Sequence, residues 1–426
     1  MNSTDTVTLT AGGPLRGEIV VPGDKSISHR ALMLGAAARG RTRIIGLSEG
    51  ADVAATAGAL RTLGVPIHHA EGALIVEGGG LHEPTAPLDL GNAGTGMRLM
   101  CGLLAGRGHL VVLTGDASLS ARPMDRIVEP LTMMGARIES RSGKAPLVIL
   151  PASLYGIEYV VPVASAQVKS GILLAGLTAE GQTTVVERTL TRSHTEEMLA
   201  EFGADIAVDG GRITLQPGEL TGREVQVPAD PSQAAFWAVG AAIIPGSEVR
   251  LPKLDLSSAR TGFIDVLRRM GAHLNVQSDT LHVAYGDRLR ATDIEPGEVA
   301  SLVDEVPVLA VAAAAAEGTS TFHGLGELLH KESNRLEAVW RLLDGLGAEA
   351  EIRGNSLAIH GTTQFITASS NSHGDHRMTM SAAIAAQLCR GPSILTGVGF
   401  VSTSYPGFFN DLAAAAGAER LPSVPA

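Results

Sequence analysis

Lysine and arginine side chains stand at the starts of Ala-rich stretches and in the loops between them, and they could carry chemistry. A helix N-terminus is already partially positive, so cations placed there do not stabilise the helix and indicate a bound anion instead. These cations are Lys25, Arg30, Arg98, Arg122, Lys169, Arg192, Lys331, Arg335 and Arg377. Together they predict a cleft that binds small polyanionic molecules.

Two carboxylates near the cations are candidates for proton transfer. Asp304 precedes an apolar run, and Glu332 lies between Lys331 and Arg335. A carboxylate held close to a bound substrate is suited to general acid–base catalysis. The alternatives are that Asp304 only caps a helix and that Glu332 only forms a surface ion pair with Arg335.

Two glycine-containing loops could bring backbone amides close to an anion. Gly23-Asp-Lys-Ser26 lacks the leading glycine of a Walker A motif, and Gly91-Asn-Ala-Gly-Thr-Gly96 is not the dinucleotide-binding fingerprint. Taken alone, each loop is more typical of an ordinary turn.

Composition excludes several classes of protein. The 426 residues carry 44 acidic and 33 basic side chains, a net charge of −11, which argues against a general binder of nucleic acid or anionic membranes. The most apolar run, residues 306–316, is shorter than the roughly 20 residues of a membrane span and predicts a buried helix.

Two cysteines without a CxxC or His–Cys cluster predict neither a disulfide scaffold nor a metal site, and we expect no cofactor. Because the polar N-terminus lacks the pattern of a signal peptide, we expect a cytoplasmic protein.

Six copies of one structural unit account for the chain. A glycine that follows an apolar stretch and ends a helix recurs 68 to 76 residues apart. The six glycines are Gly64, Gly135, Gly203, Gly271, Gly347 and Gly417. Each unit is predicted as helix, strand, helix and hairpin, preceded by an opening strand such as residues 17–22. An open solenoid is the alternative, but solenoid repeats usually span about 20–50 residues, so we favour two closed domains of three units that meet near residues 227–230.

The first helix of each unit is predicted to begin at a polar cap, since Ser, Asn and Asp oxygens accept the unpaired backbone N–H groups there. The predicted starts are residues 25–28, 92–95, 165–167, 230–232, 304–305 and 375–377. The nearby histidines His29, His194 and His376 lack metal-ligand spacing, and we expect them to form hydrogen bonds.

Six motifs, taken in order along the chain, resemble the 5-enolpyruvylshikimate-3-phosphate synthase family. They are Gly23-Asp-Lys-Ser-Ile-Ser-His-Arg30, Gly91-Asn-Ala-Gly-Thr-Gly96, Gly115-Asp through Arg122-Pro123, Ser165-Ala-Gln-Val-Lys169, Lys331-Glu-Ser-Asn-Arg335 and Asp375-His-Arg377. The resemblance implies an α/β (α+β) fold of two similar domains, each of three βαβαββ units, with the substrates between them. It places residues 1–20 and 229–426 in one domain and residues 21–228 in the other.

The same resemblance implies that the enolpyruvyl group of phosphoenolpyruvate is transferred to the 5-hydroxyl of shikimate 3-phosphate, with release of phosphate, in the shikimate pathway of aromatic amino-acid biosynthesis. The residues it assigns to shikimate 3-phosphate are Lys25, Ser26, Arg30, Ser165, Ala166, Gln167, Arg192, Asp304 and Lys331. Those it assigns to phosphoenolpyruvate are Lys25, Asn92, Gly94, Arg122, Gln167, Arg335 and Arg377. Asp304 would accept the proton of the attacking hydroxyl, Glu332 would be a proton-transfer partner, and Lys25 would touch both substrates. The domains would close to exclude water.

The resemblance further implies a monomer whose partners are the two small-molecule substrates, with neither nucleic acid nor membrane. Glyphosate, an inhibitor of the phosphoenolpyruvate site in this family, would enter beside Gly94. Three positions depart from the family pattern: Thr403 stands where a lysine is common, Asn334 replaces an aspartate and Ala166 replaces a frequent serine.

Two other functions remain open. A related UDP-N-acetylglucosamine enolpyruvyl transferase usually carries a reactive cysteine before the Arg-Pro pair, and residues 116–121 contain none. A catalytically silent anion-binding paralogue would not require both Asp304 and Glu332.

Overall fold

The computed structural model describes residues 5–417. Residues 1–4, part of the polar N-terminus, and Ala418, which follows the last repeated glycine, lie outside the described residues. The described chain divides into two compact units. The central unit runs from Gly23 to Val227, and the terminal unit joins the residues through Pro22 to those from Pro228 onward.

The central unit contains seven helices and twelve strands among its described residues. The helices are α1 (Lys25–Ala37), α2 (Ala51–Thr62), α3 (Gly94–Leu104), α4 (Ala117–Ala121), α5 (Asp125–Met133), α6 (Ala166–Gly176) and α7 (His194–Glu201). The strands are β3 (Gly40–Ile45), β4 (Ile67–Ala70), β5 (Ala73–Gly78), β6 (Leu88–Asp89), β7 (Val111–Thr114), β8 (Arg137–Arg141), β9 (Lys144–Leu150), β10 (Glu158–Val161), β11 (Thr183–Glu187), β12 (Ile206–Asp209), β13 (Arg212–Leu215) and β14 (Glu224–Gln226).

The terminal unit contains six helices and ten strands among its described residues. Its helices are α8 (Pro231–Ile243), α9 (Gly262–Arg269), α10 (Val306–Ala315), α11 (Arg335–Leu346), α12 (His376–Ala386) and α13 (Phe408–Ala415), with short 3-10 turns at Val299–Ser301, Leu325–His330 and Val398–Thr403. Its strands are β1 (Thr6–Leu9), β2 (Arg16–Glu18), β15 (Glu248–Leu251), β16 (His273–Gln277), β17 (Thr280–Ala284), β18 (Thr319–Phe322), β19 (Ala350–Arg353), β20 (Ser356–His360), β21 (Ser370–Asn371) and β22 (Ser393–Thr396).

Each unit builds three small sheets, and those of the central unit share one pattern. In the central unit the sheets have the orders β14-β3-β5-β4, β6-β7-β9-β8 and β10-β11-β13-β12, in which the first pair is parallel and the rest form an antiparallel hairpin. The terminal unit has the orders β16-β17-β15-β2, β18-β20-β19 and β1-β22-β21. In the first of these, β2 from the N-terminal segment lies parallel to β15, so the chain start completes a sheet of the C-terminal half.

The predicted fold class is confirmed. The predicted order of helix, strand, helix and hairpin is present in five units, and the hairpin predicted after Gly417 lies outside the described residues. All six repeated glycines have positive φ, from 67° at Gly417 to 100° at Gly135, which is the backbone conformation that ends a helix. The predicted hairpin after Gly203 is the pair β12 and β13. The opening strand predicted over residues 17–22 is shorter than expected, because β2 ends at Glu18.

Ala- and Gly-rich helices form the middle of each unit. In the central unit, α3 and α6 approach so closely that a Cβ atom at Gly102 would overlap the backbone of Gly171. In the terminal unit every residue of α8 is buried, and α10 is the buried apolar helix predicted from the sequence. Each unit has its own hydrophobic core. Among residues 5–417, no helix is long and apolar enough to cross a membrane.

Candidate active site

The start of α1 places Lys25 beside an acidic partner. Asp24 caps the helix by accepting the backbone N–H of Ile27 at 2.8 Å, which leaves Lys25 in the first turn. The Nζ atom of Lys25 lies 2.9 Å from Oδ2 of Asp52, and the two side chains are only 14% and 7% exposed. Because Asp52 lies far along the chain, on α2, sequence reasoning missed this counter-ion.

His29 is a buried, neutral part of the same helix. Its Nδ1 atom lies 2.9 Å from Oγ1 of Thr56, which confirms the prediction that His29 forms a hydrogen bond. Burial, together with the positive charges of Lys25 and Arg30, lowers the pKa of His29 from 6.5 to about 3. The unfolded chain therefore binds a proton at this residue more readily than the folded chain does.

The stability of the protein is expected to fall in acid partly because of His29. Since the folded pKa lies below the unfolded one, this contribution is complete above pH 6.5 and is lost as the pH falls towards about 3. Between pH 7 and about pH 4.5 the wild type should lose about 2–3 kcal/mol more unfolding free energy than His29→Gln. Urea unfolding followed by circular dichroism measures the difference. His68→Gln, at an exposed position of the same unit, is the control, and equal pH slopes for the wild type and His29→Gln would contradict the expectation.

The start of α3 gathers two guanidinium groups around a glycine. A Cβ atom on Gly94 would lie 2.7 Å from Nη1 of Arg122 and 3.3 Å from Nη1 of Arg98. Asn92 accepts a hydrogen bond from Arg122 and donates one to Asp116 at 2.8 Å. The prediction that Asn92 caps α3 is wrong, because the cap position is Ala93 and the Asn92 amide is used to hold Arg122.

The start of α6 is tied to α3 by one glutamine. Ser165 caps the helix as predicted, with Oγ 3.4 Å from the backbone N of Val168. Gln167 accepts a hydrogen bond from Arg98 at 2.8 Å and donates one to Thr95 Oγ1 at 2.9 Å. Ser165, Ala166 and Gln167 are all half-buried.

Arg30 joins α1 to α6 and α7. Its guanidinium donates to Thr195 Oγ1 at 2.6 Å, to Ser170 Oγ at 2.7 Å and to the backbone oxygen of Ser26 at 2.8 Å. Arg30 is 3% exposed, while Arg192, in the loop before α7, is half-buried.

Lys169 does not belong with the anion-binding cations. Its side chain is fully buried, and its Nζ lies 2.8 Å from Glu187 and 2.6 Å from Glu196. The sequence prediction placed it among cations that face an anion, and this is wrong because two glutamates far along the chain already neutralise it.

In the terminal unit a second group of charges surrounds Asp304. Oδ1 of Asp304 lies 3.2 Å from Lys331 Nζ and 3.2 Å from Arg335 Nη1, and Oδ2 lies 3.8 Å from Arg377 Nη2. The side chain of Asp304 is 16% exposed. The helix-cap interpretation of Asp304 is wrong, because the cap position of α10 is Glu305.

Arg335 lies at the centre of this group. Its side chain is 1% exposed, and its Nε donates to Oδ2 of Asp375 at 2.7 Å while Nη2 donates to Glu332. Burial alone would lower the pKa of Arg335, but the carboxylates of Asp375, Glu332 and Asp304 raise it above its ordinary value. The ion pair between Glu332 and Arg335 was predicted at the surface, and it is mostly buried. We call the set Asp304, Lys331, Glu332, Arg335, Asp375 and Arg377 the Asp304 cluster.

Sequence reasoning found most members of these groups and the pair of Glu332 with Arg335, but missed several other carboxylate partners. Asp375 was predicted only as the cap of α12, and it also holds Arg335. Of the positions that depart from the family pattern, Asn334 caps α11 by accepting the N–H of Glu337, and Thr403 is buried and donates to the backbone oxygen of Phe400. The sequence indicated no pairing role for Asp52, which lies in the first turn of α2, or for Asp116, which follows the motif glycine Gly115.

Two units of three repeated sheets, with charged groups at the helix starts of each, define the fold of an enolpyruvyl transferase. The crystal structure of the enolpyruvyl transferase NikO from Streptomyces tendae shares this fold, with a TM-score of 0.80 at 19% identity over 99% of this chain and all of that one. The chain belongs to the EPSP synthase (3-phosphoshikimate 1-carboxyvinyltransferase) family, which it matches over residues 9–412.

Individual relatives agree with this assignment. The 3-phosphoshikimate 1-carboxyvinyltransferase of Alkalilimnicola ehrlichii is 48% identical over 413 residues, which cover 93% of this chain and 92% of that protein. The one from Streptococcus pyogenes is 46% identical over 421 residues, which cover 95% and 98%. The EPSP synthase structure from Acinetobacter baumannii has a TM-score of 0.84 and 40% identity over 96% of this chain and 98% of that one. The chain is therefore a carboxyvinyl transferase of the shikimate pathway.

Proposed function

We propose that the charged groups described above bind phosphoenolpyruvate and shikimate 3-phosphate and catalyse transfer of the enolpyruvyl group to the 5-hydroxyl. The observation that carries the assignment of roles is the Asp304 cluster, in which a partly exposed carboxylate lies within 4 Å of three cations. Cations beside a base would hold an anionic substrate against it, and the two substrates together bring about five or six negative charges.

The proposed reaction is an addition followed by an elimination. The 5-hydroxyl oxygen adds to the enol carbon of phosphoenolpyruvate while the methylene carbon takes up a proton. Asp304 accepts the hydroxyl proton, and Glu332 takes part in transferring the proton of the methylene group. The tetrahedral adduct then loses phosphate and a methyl proton, which re-forms the carbon–carbon double bond as an enol ether. The methyl proton returns to the group that donated it, and the leaving phosphate takes the proton held by Asp304, so the enzyme regains its starting protonation state.

Shikimate 3-phosphate is proposed to bind where backbone amides and cations meet. The α6 start offers the Ser165 hydroxyl and two half-buried neighbours, and a phosphate at a helix N-terminus is favoured by the helix dipole. The proposed ligands are Lys25, Ser26, Arg30, Ser165, Ala166, Gln167, Arg192, Asp304 and Lys331. Asp304 would face the 5-hydroxyl, and Arg192 would pair with the phosphate.

Phosphoenolpyruvate is proposed to bind through arginines. A guanidinium can donate two parallel hydrogen bonds to a carboxylate or a phosphate, which a lysine cannot match. The proposed ligands are Lys25, Asn92, Gly94, Arg122, Gln167, Arg335 and Arg377. Because Asn92 holds Arg122 beside Gly94, that arginine is already aimed at the space over the α3 start.

A phosphate-release assay with both substrates tests the proposal. We expect release of phosphate with phosphoenolpyruvate and shikimate 3-phosphate, and none when UDP-N-acetylglucosamine replaces shikimate 3-phosphate. Turnover with UDP-N-acetylglucosamine but not with shikimate 3-phosphate would support the related UDP-N-acetylglucosamine enolpyruvyl transferase. Binding of phosphoenolpyruvate and shikimate 3-phosphate without turnover would support a catalytically silent anion-binding paralogue.

The Gly94→Ala variant is expected to bind phosphoenolpyruvate less tightly. The added methyl group would lie 2.7 Å from Nη1 of Arg122, so the guanidinium must shift away from its ligand position. We expect KM for phosphoenolpyruvate to rise about 10-fold, as for a loss of roughly 1.4 kcal/mol. KM for shikimate 3-phosphate should change much less, and Gly58→Ala, where a Cβ meets open space, is the control.

Glyphosate is expected to compete with phosphoenolpyruvate, and Gly94→Ala should raise its inhibition constant as well. Steady-state inhibition at several phosphoenolpyruvate concentrations measures both effects. Inhibition that does not depend on phosphoenolpyruvate concentration would refute this placement of the inhibitor.

We further propose that the two compact units correspond to the two domains of the family. One domain would comprise residues 1–20 together with 229–426, and the other residues 21–228.

A monomer is proposed from the family resemblance, and light scattering should then give a mass near 43.9 kDa. A cytoplasmic location is supported by Cys101 and Cys389, which are buried free thiols, and cell fractionation tests it.

A further inference from the structure

Lys169 is a buried lysine to which the proposed reaction gives no role. Its side chain has no exposed surface, and its partners Glu187 and Glu196 are 3% and 4% exposed. A buried lysine with two carboxylates costs desolvation energy, and well-packed apolar residues would often be as stable or more stable. The triad of Lys169, Glu187 and Glu196 therefore needs an explanation other than stability.

The two glutamates lie at opposite ends of one loop. Glu187 is the last residue of β11, and Glu196 lies in the first turn of α7, so residues 188–193 form the connection between them. Lys169 ties both ends to α6 through bonds of 2.8 Å and 2.6 Å. Within the loop, Thr191 donates a hydrogen bond to Glu187, next to Arg192.

A second set of bonds holds the same end of α7 against α6. The hydroxyls of Ser170 and Thr195 lie 2.6 Å apart, and Arg30 donates to both. Lys169 and Ser170 are neighbours on α6, so this helix holds the loop through two adjacent residues.

We propose that Lys169 is a positioning residue that sets the place of Arg192 relative to the start of α6. This inference rests on the proposed function, in which Ser165 to Gln167 and Arg192 bind shikimate 3-phosphate. One rigid helix would then carry one part of the phosphate site at its first turn and fix the other through the triad. The consequence is selection for the phosphate group, which distinguishes shikimate 3-phosphate from shikimate.

The test is a double-mutant cycle between the triad and Arg192. Lys169→Met alone leaves two buried carboxylates unpaired and can prevent folding, so the main variant is the neutral triple substitution K169M/E187Q/E196Q. Isothermal titration calorimetry measures binding of shikimate 3-phosphate to the wild type, the triple variant, Arg192→Ala and the combination of all four substitutions. R212M/E158Q removes an exposed ion pair from the sheet that contains β11 and is the matched control.

We expect the triple variant to weaken shikimate 3-phosphate binding about 10-fold or more, with little further loss in the Arg192→Ala background. Amide hydrogen exchange over residues 188–193 should become faster in the triple variant and stay unchanged in the control. The same fold-loss with and without Arg192 would indicate a merely structural triad and overturn the proposal, as would unchanged binding in the triple variant.

Failure of the proposed function is distinguishable from failure of this inference. If Arg192→Ala binds shikimate 3-phosphate as tightly as the wild type does, Arg192 is not a ligand of the phosphate and the inference is wrong. The proposed reaction is unaffected by that result, because phosphate release by the wild type tests it separately. Absence of wild-type turnover would instead remove the proposed function, on which the inference depends.

Discussion

Replacing Asp304 by asparagine is expected to lower kcat by about 10²–10⁴-fold, the usual contribution of a positioned general base. Asparagine has the same shape and keeps an Oδ1 atom that can accept from Lys331 and Arg335, which lie 3.2 Å away in the wild type. The carboxamide cannot accept the proton of the attacking hydroxyl. Substrate binding should therefore survive far better than turnover.

Steady-state kinetics with both substrates separates the two effects, since KM should change by less than kcat. Asp265→Asn is the control, because Asp265 forms an exposed ion pair with Arg268 in the same unit, and kcat should be unchanged there. Full activity in Asp304→Asn or Asp304→Ala would remove the assignment of the base. Loss of binding with kcat preserved would leave Asp304 with a role in substrate binding alone.

Replacing Arg335 by methionine is expected to cost about 3–5 kcal/mol of unfolding free energy, as when one partner of a buried ion pair is removed. The 1% exposed guanidinium forms ion pairs with Asp375, Glu332 and Asp304, and methionine would leave these carboxylates close together without it. Like charges held near one another in a poorly solvated place destabilise the fold.

Tryptophan fluorescence during urea unfolding measures this loss selectively. The two tryptophans of the chain, Trp237 and Trp340, both lie in the terminal unit, on α8 and α11. Arg341→Met is the control on the same helix, because its pair with Glu337 is exposed and should contribute less than about 1 kcal/mol. A similar small loss in both variants would show that the carboxylates are neutralised in another way.

A second substitution distinguishes unpaired charge from lost packing in this variant. If the carboxylates cause the destabilisation, R335M/D375N should recover part of the loss, because the amide can still cap α12 without a charge. No recovery would assign the loss to packing of the arginine side chain. Neither variant is expected to bind phosphoenolpyruvate as the wild type does, since Arg335 is a proposed ligand.

The sequence by itself determined the repeat and most helix ends. A glycine after an apolar stretch adopts positive φ at low cost, so Gly64 and its five counterparts marked helix ends that the structure contains. Caps are equally local, and Ser165 and Asp375 could be predicted because a cap and its helix lie within three residues. The motif order was enough to identify the family.

Only the tertiary structure decided what each charged side chain faces. Lys169 and Lys25 both stand in the first turns of Ala-rich helices, yet Lys169 is fully buried between two glutamates, whereas Lys25 lies beside Asp52 and stays 14% exposed. Asn92 resembled a cap and instead holds an arginine. These outcomes depend on which distant elements pack against a helix start, and local backbone preferences contain no information about the side chains that those elements bring.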